Sequence, residues 1–296
     1  MSNTSAFTDF TTQYNRMVPP TVFWIGVVGN IFNIITFSGY TLRTNPCTMY
    51  FFGLAITHLN NLVFGLLFNY LGDAHHVDPL TASIVICRLR FFIVHCSIVL
   101  SSWFIVLAGI DRYFISSRKV NLRNLSSFKN ILSLILAAIS ICFVLYAHVL
   151  VLFAIEQTKT GPVCYAQSGA YRVFYDFFFF ATYSCTPTVL MIIIGLATLC
   201  NTIRRRDQIN PITVTQTSAP AKQTQRLRKR DYHFIKMLLL ELATTVLFTL
   251  PIVTQKLYAT LTEGTPKTSE RLHIENFFAQ LVRTLTQINS AISFYM

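Results

Sequence analysis

Charged residues are scarce in this chain. Only 12% of its 296 residues are Asp, Glu, Lys or Arg, whereas 53% are hydrophobic and Phe alone occurs 26 times. A soluble domain of average composition carries about 25% charged residues, which it needs to cover its surface. The composition therefore excludes an ordinary soluble domain and indicates a membrane protein.

Acidic residues are the scarcer of the two charge types, 12 against 24 basic residues, which leaves a net charge of +12. The basic residues crowd into two short polar connections, residues 118–129 and 204–230. Translocation disfavours Lys and Arg, so such connections stay in the cytosol. We interpret the charge as a signal of membrane orientation and expect no nucleic-acid partner; polyanion binding is the alternative explanation.

Catalytic signatures are also missing. The sequence contains neither the His-Glu-x-x-His spacing of metal hydrolases nor a Gly-x-Ser-x-Gly nucleophile elbow. We therefore expect no enzymatic activity, no cofactor and no metal. The polar N-terminus lacks the apolar core of a signal peptide, and its Asn3-Thr4-Ser5 sequon predicts glycosylation of Asn3 on an extracellular segment.

Seven segments are long and apolar enough to be membrane helices, since about 20 residues cross a bilayer. They are residues 20–42, 49–71, 84–115, 128–153, 171–203, 232–260 and 273–296. The sequence predicts an all-α membrane protein, a seven-transmembrane-helix bundle with its N-terminus extracellular. Residues 1–19 would be an extracellular tail, residues 20–296 the seven-helix membrane domain, and residues 204–230 a flexible cytosolic linker.

Two of the seven cysteines would lie on the oxidising side of the membrane. Cys87 begins the third segment at its outer end, and Cys164 lies in the second outer loop. The other five fall in apolar helices or in a cytosolic connection. Because disulfides form in oxidising compartments, we predict a Cys87–Cys164 bond that holds the loop over the mouth of the bundle.

The third segment ends in Asp111-Arg112-Tyr113, and Arg112 follows Cys87 by 25 residues. Other motifs are Gly29-Asn30, the "LAITH" stretch that ends at His58, Pro187, "FTLP" at residues 248–251 and the ending "NSAISFYM". With these motifs the chain resembles the rhodopsin-like (class A) family of G-protein-coupled receptors, and its ending is similar to that of peptide receptors.

The chain departs from the pattern of that family at several positions. His58 stands where the family has its sodium-binding Asp, and Thr249 stands where it usually has Trp. Ser293-Phe294 replace Asn-Pro, and the sequence stops before the family's eighth helix and C-terminal tail, which indicates truncation within helix seven. The resemblance then implies little allosteric effect of sodium.

The resemblance also implies an inner lock, in which Arg112 on helix three pairs with Asp231 at the start of helix six, beside Asp111 and Tyr113. The alternative is that Arg112 only extends to lipid phosphates. A core polar network would comprise Asn30, His58, Ser101, Asn289 and Ser293. Pro187 and Pro251 each remove a helix hydrogen bond and are candidate hinges, or serve packing alone.

Polar residues on helix seven predict the ligand pocket. Asn276, Gln280, Arg283, Gln287 and Ser290 recur at steps of four and three, so they share one face, and polar residues at membrane depth face the bundle interior. Arg283 would bind ligand or else pair with Glu263, Glu270 or Glu275. The other predicted pocket residues are Gln255, Lys256, His95 and Val94; Lys256 could instead extend outward.

These residues suit an anionic or carbonyl-rich ligand. Val94 stands where amine receptors carry Asp, and Gln287 stands where opsins carry the retinal Lys. By resemblance we expect a multi-pass receptor in the plasma membrane that binds an extracellular peptide, in particular a neuropeptide, and signals to a heterotrimeric G protein as helix six opens. A binding-only receptor and a seven-span transporter are the alternatives.

Overall fold

The structure, a computed structural model, describes residues 2–39, 47–75, 79–117, 119–158, 161–209, 239–240, 243–262, 265 and 267–293. Seven long helices run through these residues. They are α1 (Ser2–Ser38), α2 (Thr48–Asn60, continuing through Asn61–Leu66 and Leu67–His75), α3 (Ile84–Ser116), α4 (Phe128–Tyr146, then Val149–Leu152), α5 (Ala170–Phe179, Phe180–Cys185 and Thr186–Ile209), α6 (residues 243–261) and α7 (Ser269–Ile292). Short helices cover Pro79–Ala82 and Val120–Leu125.

Each of the seven predicted segments overlaps one of these helices. Within the described part of the chain, five helices are long and apolar enough to cross a membrane, namely Phe7–Ser38, Thr48–Ala74, Ile84–Ser116, Phe128–Leu152 and Ala170–Thr198. The helix α7 is more polar than these five because it contains several amides and Arg283. It begins after Thr268, whose side chain accepts a hydrogen bond from the Arg271 backbone N–H and so caps the first turn.

The helix α3 is at the centre of the bundle, packs against α2, α4 and α5, and contributes more buried core residues than any other described helix. Close packing between α2 and α3 depends on Gly53, where a Cβ atom would come within 2.9 Å of the Phe104 ring. The helices α1, α2 and α7 meet similarly at Gly26, where a Cβ would lie 2.8 Å from the Ala291 Cβ. These close approaches bring the polar residues of α2 and α7 together.

The predicted extracellular tail, residues 1–19, is helical and continues into the first membrane helix. The helix α1 begins at Ser2 and runs through Pro19 and Pro20. The rings of Phe7, Phe10 and Tyr14 surround Phe277 of α7, with ring centroids 5.4–5.8 Å apart. Tertiary packing therefore stabilises helix on the N-terminal side of the proline pair, where proline removes ladder hydrogen bonds.

The second outer loop contains a β-hairpin that an all-α prediction does not include. Strand β1 (Phe153–Thr158) pairs antiparallel with β2 (Gly161–Ala166), and Gly161 adopts a φ of +122° at the start of β2. The predicted disulfide between Cys87 of α3 and Cys164 of β2 is present, with the two Cα atoms 5.9 Å apart. The bond fixes the hairpin to the outer end of α3.

Candidate functional site

A cavity of about 610 Å³ lies beneath the hairpin, between the outer halves of α2, α3, α5, α6 and α7. Five residues predicted to share the pocket line it: Gln255, Lys256, Asn276, Gln280 and Arg283. The lining also carries charged residues that the sequence analysis did not select, namely Asp73, Arg90, Glu156, Arg172 and Asp176. The cavity is therefore rich in charges of both signs.

Arg283 pairs with Asp73 of α2. Of the three glutamates considered from sequence as its partner, Glu263 lies outside the described residues. Its Nη2 lies 3.5 Å from Asp73 Oδ2, and Gln280 Nε2 donates to Asp73 Oδ1 at 3.3 Å. Asn15 of α1 in turn donates to Gln280 Oε1 at 3.2 Å. Glu275 instead accepts from Lys267 and Arg271 at the outer end of α7. Arg283 thus links α7 to α2 at the wall of the cavity.

Lys256 lies among three aromatic rings. Its Nζ is 4.5 Å from the ring centroid of Phe179, 5.2 Å from that of Tyr165 and 5.7 Å from that of Tyr175. Such distances allow cation–π attraction on more than one side. The side chain turns into the bundle, so the alternative that it extends outward is wrong.

Asp176 of α5 is the buried acid nearest to this cluster, with only 2% of its surface exposed. Tyr165 OH donates to its Oδ1 at 2.6 Å, and Thr260 Oγ1 donates to its Oδ2. Burial, and then the negative charge of Asp176, raises the pKa of Tyr165 well above its ordinary value, so this hydroxyl remains a donor. The sequence shows Asp176 within an aromatic segment, but it does not show that Tyr165 and Thr260 donate hydrogen bonds to this residue.

Arg90 of α3 is a second functional residue that the sequence analysis missed. It is 6% exposed and reaches into the π-helical turn Asn61–Leu66 of α2. Its Nε donates to the Phe64 carbonyl at 2.9 Å, and its Nη2 donates to the Gly65 carbonyl and to Asn69 Oδ1 at 3.1 and 2.7 Å. A π turn interrupts the regular helix ladder, and the guanidinium binds the backbone at that interruption.

Three predicted pocket residues do not line the outer cavity. Val94 is buried in α3, and His95 is buried among aromatic rings with its Nδ1 2.7 Å from the Phe91 carbonyl. Gln287 lies deeper and donates to Asn61 Oδ1 at 3.3 Å. The helical period places these residues on the inward side of their helices, but neighbouring side chains separate them from the cavity.

Two members of the predicted core polar network, Asn30 and Asn289, bind partners that were not in the predicted set. Asn30 donates to the Ser290 carbonyl at 2.9 Å, and Asn61 donates to Ser290 Oγ at 2.9 Å. Asn289 donates to Thr245 Oγ1 of α6 at 3.4 Å. These contacts join α1, α2, α6 and α7 at mid-bundle, and Asn61, at the start of the π turn, is the residue that sequence reasoning missed.

Other members of the predicted network stay apart from these amides. His58 is 2% exposed, and its Nδ1 has no hydrogen-bond partner among the described residues. Ser101 donates to the carbonyl of Ile98 in its own helix. Ser293 is buried at the end of α7. The small effect of sodium stays a prediction.

At the inner end of α3, Asp111 and Arg112 are both buried, with 3% and 5% of their surfaces exposed. Asp111 Oδ1 accepts a hydrogen bond from Ser126 in the connection to α4. Arg112 Nε donates to Cys47 Sγ, at the start of α2, at 3.3 Å. Burial against α2 rules out the alternative that Arg112 merely extends to lipid. Asp231, its predicted partner on the α6 side, lies outside the described residues.

Tyr113 follows on α3, with its ring next to that of Phe114. Of the candidate hinges, Pro187 lies two residues after the end of the π-helical turn Phe180–Cys185 in α5, and Pro251 lies within helical backbone in α6. A proline removes a ladder donor from the turn before it, which explains why α5 widens at that point. Asn3 lies in the first turn of α1, and its glycosylation stays a prediction.

Comparison with known proteins agrees with this architecture. A search of curated proteins finds no significant match. Residues 29–293 match the family described as 7 transmembrane receptor (rhodopsin family), a range that includes the outer cavity, the disulfide and the inner end of α3. The chain therefore belongs to the rhodopsin family of seven-transmembrane receptors, which makes it a multi-pass plasma-membrane receptor and not an enzyme.

Proposed function

We propose that the chain binds an extracellular peptide in the outer cavity and signals to a heterotrimeric G protein. The observation that carries the proposal is the cavity itself, which opens beneath a disulfide-bound hairpin and has about 610 Å³ of space. Ligand sites have volumes of roughly 300–1,000 Å³ and combine apolar walls with a few placed polar groups. Charged and amide side chains on α2, α6 and α7 suit the charges and carbonyls of a peptide.

Signalling requires that ligand binding outside changes the inner end of the bundle. Arg112 is held at this end by Cys47, beside an Asp111 that is tied to Ser126. In our proposal Asp231 supplies a further carboxylate from the α6 side, and the resulting lock favours the closed state by on the order of 1–3 kcal/mol. Ligand binding releases α6, with Pro251 as the hinge, and a G protein enters the cavity that opens.

Asp231→Ala should raise ligand-independent nucleotide exchange. Loss of about 1.4 kcal/mol of bias toward the closed state raises the ratio of open to closed receptor about tenfold. The measurement is GTP-analogue binding by a G protein in membranes that contain equal amounts of wild-type and variant receptor. Asp9→Ala, which changes an exposed acid on α1, is the matched control. Equal basal exchange in Asp231→Ala and wild type would contradict the lock.

The function is tested by applying a peptide library to cells that express the receptor with a promiscuous G protein. We expect at least one peptide to bind the wild-type receptor and to stimulate nucleotide exchange. Binding without nucleotide exchange would select the binding-only receptor. If no peptide binds the wild-type receptor, the peptide proposal is wrong.

A further inference from the structure

The ammonium group of Lys256 lies against the faces of three aromatic rings. Among the residues that the structure describes, its Nζ contacts Phe179, Tyr165 and Tyr175 and makes no hydrogen bond or ion pair. An ammonium carries three N–H donors, and aromatic faces attract the charge without accepting all of them in strong hydrogen bonds. Lys256 also lines the outer cavity, so these donors are available to a ligand.

The three acids of the cavity are each engaged by other groups. Asp73 accepts from Gln280 and Arg283, and Asp176 accepts from Tyr165 and Thr260. Glu156, in β1, accepts from the backbone N–H and the hydroxyl of Ser168, and these hydrogen bonds lower its pKa. The carboxylates therefore stabilise the walls of the cavity. Asp176 also attracts the Lys256 ammonium electrostatically, at longer range than a hydrogen bond.

The side chains around Lys256 define the rest of the site. Ile252 is one helical turn before Lys256 and lines the same cavity. Phe91, which also lines it, has its ring centroid 6.2 Å from that of Tyr165. An apolar group of a ligand can pack on Ile252 and Phe91 while an anionic group reaches the ammonium.

We propose that Lys256 binds a carboxylate of the ligand, and that the ligand carries an apolar group next to this carboxylate. The inference deepens the proposed function, because it rests on the outer cavity being the ligand site. A charge-assisted hydrogen bond is roughly twice as strong as a neutral one, so the contact contributes a large share of the affinity. The carboxylate comes either from the C-terminus of a peptide or from a small organic acid.

The first test uses a small acid and its neutral counterpart on the purified full chain in lipid nanodiscs. N-acetyl-L-phenylalanine has the carboxylate and the apolar group, and N-acetyl-L-phenylalaninamide has the same ring without the charge. At ten times its Kd, the acid should raise the melting temperature by about 3 °C, whereas the amide at the same concentration should change it little. Equal shifts with acid and amide, or no shift with either, would overturn the proposal.

Variants of Lys256 show whether the acid binds at this residue. Lys256→Gln should weaken binding of the acid by roughly 10- to 100-fold, and Lys256→Arg, which keeps a cation, should retain most of it. Lys267→Gln is the matched control, since Lys267 pairs with Glu275 outside the cavity lining. The melting temperature of each variant without probe shows that it folds. An unchanged response to the acid in folded Lys256→Gln would contradict the proposal.

A second experiment shows whether the carboxylate belongs to a peptide C-terminus or to a small organic acid. It also distinguishes failure of the Lys256 site from failure of the peptide proposal. It compares pools of random heptapeptides that end in a free carboxylate with pools that end in an amide. If the carboxylate pools raise the melting temperature at lower concentrations than N-acetyl-L-phenylalanine does, the carboxylate of the natural ligand is a peptide C-terminus. A response to the small acid alone keeps the Lys256 site and refutes the peptide proposal. Equal responses to both pools, unaffected by Lys256→Gln, refute the site and keep the peptide proposal.

Discussion

Arg90→Met should lower the melting temperature of the receptor by about 10 °C. The guanidinium binds two backbone carbonyls and one side-chain oxygen at the π turn of α2. Methionine is of similar length but donates nothing, so buried acceptors lose their partner at a cost of about 1–3 kcal/mol each. We expect the free energy of unfolding to fall by about 3–5 kcal/mol. The melting temperature changes by roughly 2–4 °C per kcal/mol, which gives the expected shift. Thermal unfolding of the purified receptor measures it.

The same substitution at Arg16 is the control, because Arg16 is exposed on α1. Surface changes of this kind alter stability little, so Arg16→Met should melt within about 2 °C of the wild type. A local probe sharpens the test: hydrogen exchange of α2 backbone amides near Phe64 should accelerate in Arg90→Met. If Arg90→Met unfolds at the wild-type temperature, Arg90 does not hold the π turn.

Cys164→Ser should increase the mobility of the β-hairpin that covers the cavity. The bond to Cys87 closes a chain segment with a sequence separation of 77 residues and fixes β2 to α3. A disulfide typically stabilises the folded state by about 2–4 kcal/mol. If its loss lowers the free energy of local opening by about 2 kcal/mol, the hairpin amides should exchange roughly 30-fold faster. Because Tyr165 is next to Cys164 in β2 and contacts Lys256, we also expect weaker binding of carboxylate probes.

The control for the disulfide is Cys200→Ser, which changes an exposed free thiol on α5. The double variant with Cys87→Ser and Cys164→Ser should behave as either single variant does, since each single change already removes the bond. Hydrogen exchange followed by mass spectrometry over residues 153–166 is the measurement. Wild-type exchange rates in the single variants would show that the hairpin does not depend on the bond.

The features that the sequence predicted well are those that depend on local composition or on which side of the membrane a residue lies. The apolar segments gave the positions of the helices, since each must satisfy its backbone internally in lipid. The Cys87–Cys164 bond followed from counting which thiols are outside. The inward face of α7 followed from its period, and it correctly included Gln280 and Arg283 in the cavity wall.

The features that sequence reasoning missed depend on contacts between distant elements. The helix before Pro19 exists because aromatic residues pack on Phe277 of α7, and a polar N-terminus gives no local signal of that partner. Arg90 would be interpreted as an unfavourable charge in a membrane helix until the π turn opposite it is known. Pairing of Arg283 with Asp73 depends on how α2 and α7 are rotated, which periodicity alone does not fix.

At the inner end, the sequence identified Asp111 and Arg112 as important but not their neighbours. Cys47 was considered only as a reduced thiol in a connection, whereas it is fully buried and accepts from Arg112. Ser126, in the next connection, holds Asp111. Both contacts involve residues outside the long helices, where helical periodicity gives no information.

The central claim is that α6 moves away from the bundle at its inner end when the receptor engages a G protein. The most direct measurement is the distance between spin labels at Ser38→Cys on α1 and at Leu240→Cys, both exposed positions, in a background with Cys185→Ser and Cys200→Ser. Addition of nucleotide-free heterotrimeric G protein should lengthen this distance by several ångströms. An unchanged distance in a complex that has demonstrably formed would contradict the account.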